Sequence, residues 1–140
     1  MDGIQRAVEA LKELEIKRQL ACGGYRAQIL QKEADMVHLS ELGFPNEEAP
    51  TIRMRTLMDE KRELEAKEAA AIAHVEHVER VLRSLTKDER TVLVERYVKP
   101  HRHGDAVMRR MAWDMHVSEE TVRRVKRRAL REFARRMGYT

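Results

Sequence analysis

Cysteine occurs once in 140 residues, at Cys22. A single thiol closes no internal disulfide, so a reducing compartment is expected and the fold must rest on packing. Three prolines and six glycines are few for this length, which leaves long stretches free to be helical. Phe, Tyr and Trp total six, too sparse for a β-sandwich or an α/β enzyme core. No uncharged run comes near the ~20 apolar residues of a membrane span. The opening Met1-Asp2-Gly3-Ile4-Gln5-Arg6 has no basic stretch followed by an apolar one, so no secretory signal is expected and a cytoplasmic location is. What is abundant is Ala, Leu, Glu, Lys, Arg and Met. With 37% charged residues, this is the composition of long, exposed helices.

The formal net charge of +4 conceals an asymmetry. Residues 1–85 hold 13 Lys and Arg against 16 Asp and Glu; residues 86–140 hold 15 against 8. The chain therefore reads as two parts, a slightly acidic helical arm over residues 1–85 and a basic domain over residues 86–140 suited to a polyanion.

Along the arm, Ile4, Ala7, Leu11 and Leu14 recur at helical spacing over residues 2–20, and Gly23-Gly24 interrupts with a kink or short turn. Cys22, Tyr25, Ile29, Met36 and Leu39 then share one face, so helix resumes to about Leu42. The step from the first stripe to the second is a stutter if the helix is unbroken. Residues 43–51, with Pro45, Pro50 and Gly43, make a turn, and Thr51 is the expected N-cap of the next helix. From Ile52 to about Ser84 the pattern is heptad. Leu57, Leu64, Ala71, Val78 and Leu85 repeat every seventh residue, Val75 and Leu82 fill alternate positions, and Lys61 and Glu68 break them. Leu57, Leu64, Ala71, Val75, Val78 and Leu82 are thus a candidate oligomerisation seam. It can pair with the first two helices, with another copy of the chain, or both. A helical hairpin turning near Pro45 and Pro50 is the simplest fold of the arm.

In the basic part, Thr86-Lys87-Asp88-Glu89 spells a capping box that starts a helix carrying Val92, Leu93 and Tyr97 and ending before Pro100. Asp105 is read as the cap of the following helix, which buries Val107, Met108, Met111 and Ala112. Ser118 caps the last helix, which Gly138 stops near Met137. The segment from Ala112 to Val125 has helix-turn-helix spacing. Ala112 is small where two helices cross, and Met115 and Val117 are apolar on either side of a tight turn. Val122 and Val125 face inward, and His116 sits where a left-handed residue is common. A helix with a dry back and an Arg-rich front is what the major groove of DNA accepts. Glu119, Glu120, Arg123, Arg124 and Arg127 are candidates for base contacts, and Arg109, Arg110, Thr121, Lys126 and Arg128 for phosphate contacts. Trp113 is expected to pack between helices, and Arg131, Arg135 and Arg136 to form a solvated tail.

The run Leu85-Thr86-Lys87-Asp88-Glu89-Arg90-Thr91-Val92-Leu93 with Arg96-Tyr97 resembles the opening of region 4 of bacterial sigma factors. Ala112, Val117-Ser118-Glu119-Glu120-Thr121-Val122-Arg123 and Arg128-Ala129-Leu130 extend the resemblance to residue 134 or so. With its helical arm the chain is similar to phage-encoded late transcription regulators of the ArpU and RinA type. That resemblance implies a DNA-binding regulator of phage packaging and lysis genes in the host cytoplasm, with RNA polymerase as a further partner. A phage small terminase subunit that recognises packaging DNA is the neighbouring alternative, and a polymerase-interaction module with little affinity for DNA is another.

The remaining constellations carry no chemistry. His74 and His77, and His101, His103 and Asp105, lack the four ligands that zinc wants, and Cys22 has no partner for thiol catalysis. No P-loop, dinucleotide fingerprint or Ser/His/Asp arrangement is present. The expectation is an all-α, non-enzymatic, homo-oligomeric protein with double-stranded DNA as partner and no metal, cofactor, membrane or small-molecule substrate.

Overall fold

The computed structural model describes residues 2–42, 48–99 and 104–139, leaving aside the side chains of residues 48–51. Among the described residues there are helices and no strand: α1 Gly3–Gln19, α2 Tyr25–Glu41, α3 Glu48–Ser84, α4 Lys87–Leu93, α5 Gly104–Met115 and α6 Glu119–Met137. The all-α class expected from composition is the class observed. The chain forms two compact units, one of Lys17–His74, the other of Met1–Ile16 with Val75–Thr140. The boundary at 85/86 marks a change of charge, whereas packing divides the chain elsewhere. Ala7, Ala10, Leu11 and Leu14 of α1, and Val75, Val78, Val81 and Leu82 of α3, are buried in the same unit as α4, α5 and α6.

In the unit of Lys17–His74 the two glycines do interrupt the helix. Gly23 stands at φ 137°, a value open to glycine and strained for other residues, and Cys22 beside it leaves helical dihedrals too. The backbone widens across Leu20–Gly24, with the Tyr25 N–H donating to the Leu20 carbonyl. One extra residue in the turn lets the apolar stripe change phase, so the stutter is absorbed locally. Cys22 itself is exposed rather than on the α2 stripe; Ile29 is fully buried, and Tyr25, Met36 and Leu39 are half-buried.

Helices α2 and α3 run antiparallel. Three ion pairs set their register: Arg26–Glu68 at 2.7 Å, Lys32–Glu60 at 2.6 Å and Lys61–Glu33 at 3.2 Å. Lys61 and Glu68, the residues that break the heptad seam, therefore reach α2, as Glu60 does. The Lys32 ammonium beside it lowers the Glu60 carboxyl below its usual range. Exposed pairs of this kind contribute about 0–1 kcal/mol each, so they specify register. Burial of Ile29 and Leu57, at 0% and 1% exposure, contributes more, roughly 1.5–3 kcal/mol apiece. Helix α3 begins at Glu48, so Thr51, the expected N-cap, lies inside its first turn. Pro50 lies there too, where its missing N–H costs no intrahelical bond. Residues 43–47 of the expected turn, and His101 and His103, lie outside the described residues.

The other unit opens on a cap that runs both ways. Asp2 Oδ1 accepts from the Gln5 N–H at 2.7 Å, and Gln5 Oε1 accepts from the Asp2 N–H at 3.4 Å. Gly3 then meets the far end of the chain: a Cβ on it would stand 1.9 Å from the Tyr139 carbonyl oxygen. The Arg6 guanidinium lies 4.4 Å from the centre of the Tyr139 ring. Arg136 is not part of a solvated tail. Its Nη1 donates to the Ser84 carbonyl at 2.6 Å and to the Ser84 hydroxyl at 2.8 Å, satisfying the open C-terminus of α3. Glu132 holds that arginine from below, with its Nε at 2.7 Å, and also bonds Arg135. The Arg135 and Arg136 hydrogen bonds pull the Glu132 carboxyl down to about 2.

Candidate nucleic-acid interface

The site is built on three helices. Thr86 and Glu89 form the capping box expected of them, with the Glu89 N–H 3.3 Å from the Thr86 hydroxyl and the Thr86 N–H 3.2 Å from Glu89 Oε1. This starts α4. Its backbone widens over Val94–Val98, and Lys99 stands extended at ψ 138° because Pro100 follows. Helices α4, α5 and α6 pack around Val92, Val107, Met108, Met111, Ala112, Val122 and Val125, with Met115 at the edge. Burial of Tyr97 at the end of this first helix raises its phenol above the ordinary value. Helix α5 starts at Gly104, so Asp105 lies in its first turn rather than capping it. There the carboxylate still complements the helix dipole.

The turn between α5 and α6 shows why the spacing works. His116 adopts φ 57°, the left-handed conformation that its position demands. The Val117 N–H reaches back to the Ala112 carbonyl at 3.0 Å and the His116 N–H to the Trp113 carbonyl at 3.2 Å, closing α5 with a Schellman motif. One residue on, the Ser118 hydroxyl accepts from the Thr121 N–H at 3.1 Å and starts α6. Gly138, at φ 82°, ends α6 with the same pair of backbone bonds.

Helix α6 buries Val122, Val125, Ala129, Leu130, Phe133 and Ala134, a single stripe. Its eight Lys and Arg against three Glu make the opposite face strongly positive. Glu120, Arg124, Arg127 and Arg128 are exposed, as are Arg109 and Arg110 on α5; Glu119, Thr121, Arg123 and Lys126 are half-buried. Two of the candidate arginines are already matched by carboxylates, Arg123 to Glu119 at 3.5 Å and Arg127 to Glu120 at 3.4 Å. Arg110 sits 3.8 Å from Asp114, and Arg128 lies 3.8 Å from Glu89, the capping-box carboxylate of α4. Arg124 makes no ion pair among the described residues and is exposed. Lys126 stands on the inner flank instead. Burial, then the charges of Arg96, Arg127 and Arg123, lower its ammonium below the ordinary lysine value. Arg96 thus joins a cluster in which sequence reasoning had not placed it. Its guanidinium lies close against Gly104, where a Cβ would come within 2.9 Å of Nη2.

One expectation does not hold. Trp113 was expected between helices and is 82% exposed. The inward positions of α5 are taken by Val107, Met108, Met111 and Ala112, and residue 113 falls outside that stripe. Of the candidate seam, Leu57, Val75, Val78 and Leu82 are buried within the single chain, and Leu64 and Ala71 are half-buried.

Three short helices with a tight turn between the last two are a helix-turn-helix domain, the class that lays one helix in a DNA groove. Residues 81–133 match the family model for Sigma-70, region 4, so this part of the chain is sigma region 4-like. No curated protein and no solved structure shows significant similarity to the chain. Among the described residues no helix is long and apolar enough to cross a membrane.

Proposed function

We propose that this protein is a sequence-specific DNA-binding transcription regulator that inserts the N-terminal half of α6 into the major groove. The observation that carries the reading is a coincidence on one element. The turn fixed by His116 and Ser118 presents the start of α6, and the helix so presented carries eight Lys and Arg against three Glu. Arg124 is the foremost base-reading side chain, flanked by Glu119, Glu120, Arg123 and Arg127. Arg109, Arg110, Thr121, Lys126 and Arg128 supply phosphate contacts. The resemblance to phage late regulators supports packaging and lysis genes as targets and RNA polymerase as a partner. Assembly of copies through exposed parts of the arm would join two DNA-binding domains and raise their effective concentration.

The test compares Arg124→Ala with Lys126→Ala on specific and scrambled duplexes at two salt concentrations. Arg124→Ala is expected to cost about 1–3 kcal/mol on the specific duplex and little on the scrambled one. Lys126→Ala is expected to weaken both alike and to reduce the salt slope by about one. Equal losses for Arg124→Ala would mean that it meets phosphate and that α6 lies differently in the groove. No binding at low salt would overturn the DNA reading, and rings of many copies would favour a terminase subunit.

A further inference from the structure

Helix α5 has two flanks beside its buried stripe, and they differ. One carries Arg110 and Asp114, which pair with each other and line a cavity of about 100 Å³ with Thr91 and Glu95 of the first helix. The other carries Arg109 and, one turn on, Trp113. With His116, Val117 and Glu119 these line an open concavity of about 340 Å³ beside the start of α6. Trp113 is the sole tryptophan of the chain, and Val117 next to it is 38% exposed. The indole and Val117 are thus left open to water beside a concavity, a flank available to a partner.

We propose that Trp113 is a DNA-backbone contact, its indole lying on the deoxyribose-phosphate edge of the groove that α6 enters. The inference rests on the DNA-binding reading above and adds to it a residue that the helix-turn-helix pattern alone assigns to packing. The chemistry favours DNA as the occupant. Arg109 is exposed and without a carboxylate partner among the described residues. Glu119, the acid that lines this concavity, is already matched by Arg123. The flank is therefore an aromatic ring beside a cation that makes no ion pair among the described residues, next to the start of the basic helix α6. An indole N–H only donates, and a phosphodiester only accepts. The ring face matches the apolar edge of a sugar, so one side chain serves both parts of the backbone. Such a contact positions the helix and reads no base.

The sole tryptophan makes the test direct. Acrylamide quenching of the full chain is measured free and with saturating duplex, saturation being followed by anisotropy of labelled DNA. Trp113 is expected to be strongly quenched when free and to lose about half or more of that accessibility on the duplex, scrambled or specific. In parallel, Trp113→Ala is expected to bind both duplexes roughly tenfold more weakly with unchanged helicity, because the residue is exposed and holds no core together. Trp113→Phe keeps the ring, loses the N–H, and should fall between. If anisotropy shows binding while quenching is unchanged, Trp113 faces away from DNA and the inference fails, although the DNA reading stands. A loss confined to the specific duplex would also overturn it, since that signals base contact. If no duplex binds at any salt, both readings fall together.

Discussion

His116 shows how much one backbone dihedral decides. At φ 57° it supplies the left-handed step that points the Val117 and His116 amides back to α5. A β-branched side chain there crowds its own carbonyl, costing about 1–2 kcal/mol. His116→Val is therefore expected to lower stability by that amount and His116→Gly to be neutral or better, read by thermal unfolding of the full chain. The position was legible in the sequence because the requirement is local. Trp113, three residues earlier, was not, because only the packed positions of its neighbours on α5 decide whether a side chain there is covered. Glu132 adds a residue-scale consequence for pH. Its carboxyl stands at about 2 against an ordinary value of 4.5, so between those values the folded state holds it deprotonated where the unfolded chain does not. The stability it supplies is complete above 4.5 and is lost as pH falls from there towards 2. Glu132→Gln should lower stability at neutral pH and flatten the acid limb of a stability-pH curve, the deficit shrinking as pH falls through that window. An acid limb identical to the parent's would show that the Arg135 and Arg136 bonds do not persist in solution.

At the scale of elements, the helix starts at Thr86 and Ser118 and the stop at Gly138 were readable because caps are written in adjacent residues. The helix partners were not. Heptad spacing says that a stripe is apolar, and the same stripe fits a hairpin or a dimer. Here Val78 and Leu82 of α3 are buried inside one chain, at 0% and 4% exposure. Val75→Asp or Leu82→Asp puts a carboxylate into that interior, at a cost of several kcal/mol when it is left without a partner. The expected result is loss of helicity by circular dichroism together with loss of the native state. Retained helicity with a lower mass in solution would show instead that the stripe serves contacts between copies. Lys61 and Glu68 looked like flaws in the seam and prove to be its register marks, bonded to Glu33 and Arg26. A pattern read as interrupted can be a pattern whose partner is polar.

For the whole molecule, the division by charge and the division by packing do not coincide. Composition sees only neighbours in sequence, whereas the first sixteen residues share a compact unit with the last sixty-six. Gly3 is the clearest marker. Ala has the higher helix propensity by about 1 kcal/mol, yet a Cβ here would stand 1.9 Å from the Tyr139 carbonyl oxygen. Gly3→Ala is thus expected to destabilise the full chain, by about 1–3 kcal/mol as overpacking does. The same substitution in a chain ending at Gly138 should lose most of that penalty. A melting temperature that rises in both backgrounds would mean that the two ends do not meet.

That closure has a consequence for the order in which the protein is made. The apolar stripe of α1 leaves the ribosome long before α6 and Tyr139, which complete its unit. At about 5–20 residues per second the interval is on the order of ten seconds. During it Ala7, Leu11 and Leu14 have no finished interior to enter, while Lys17–His74 already has all its residues. The unit that holds the basic helix is therefore completed only once α6 has followed α1 out, and a chain cut short before Phe133 carries an arm without the unit that would use it.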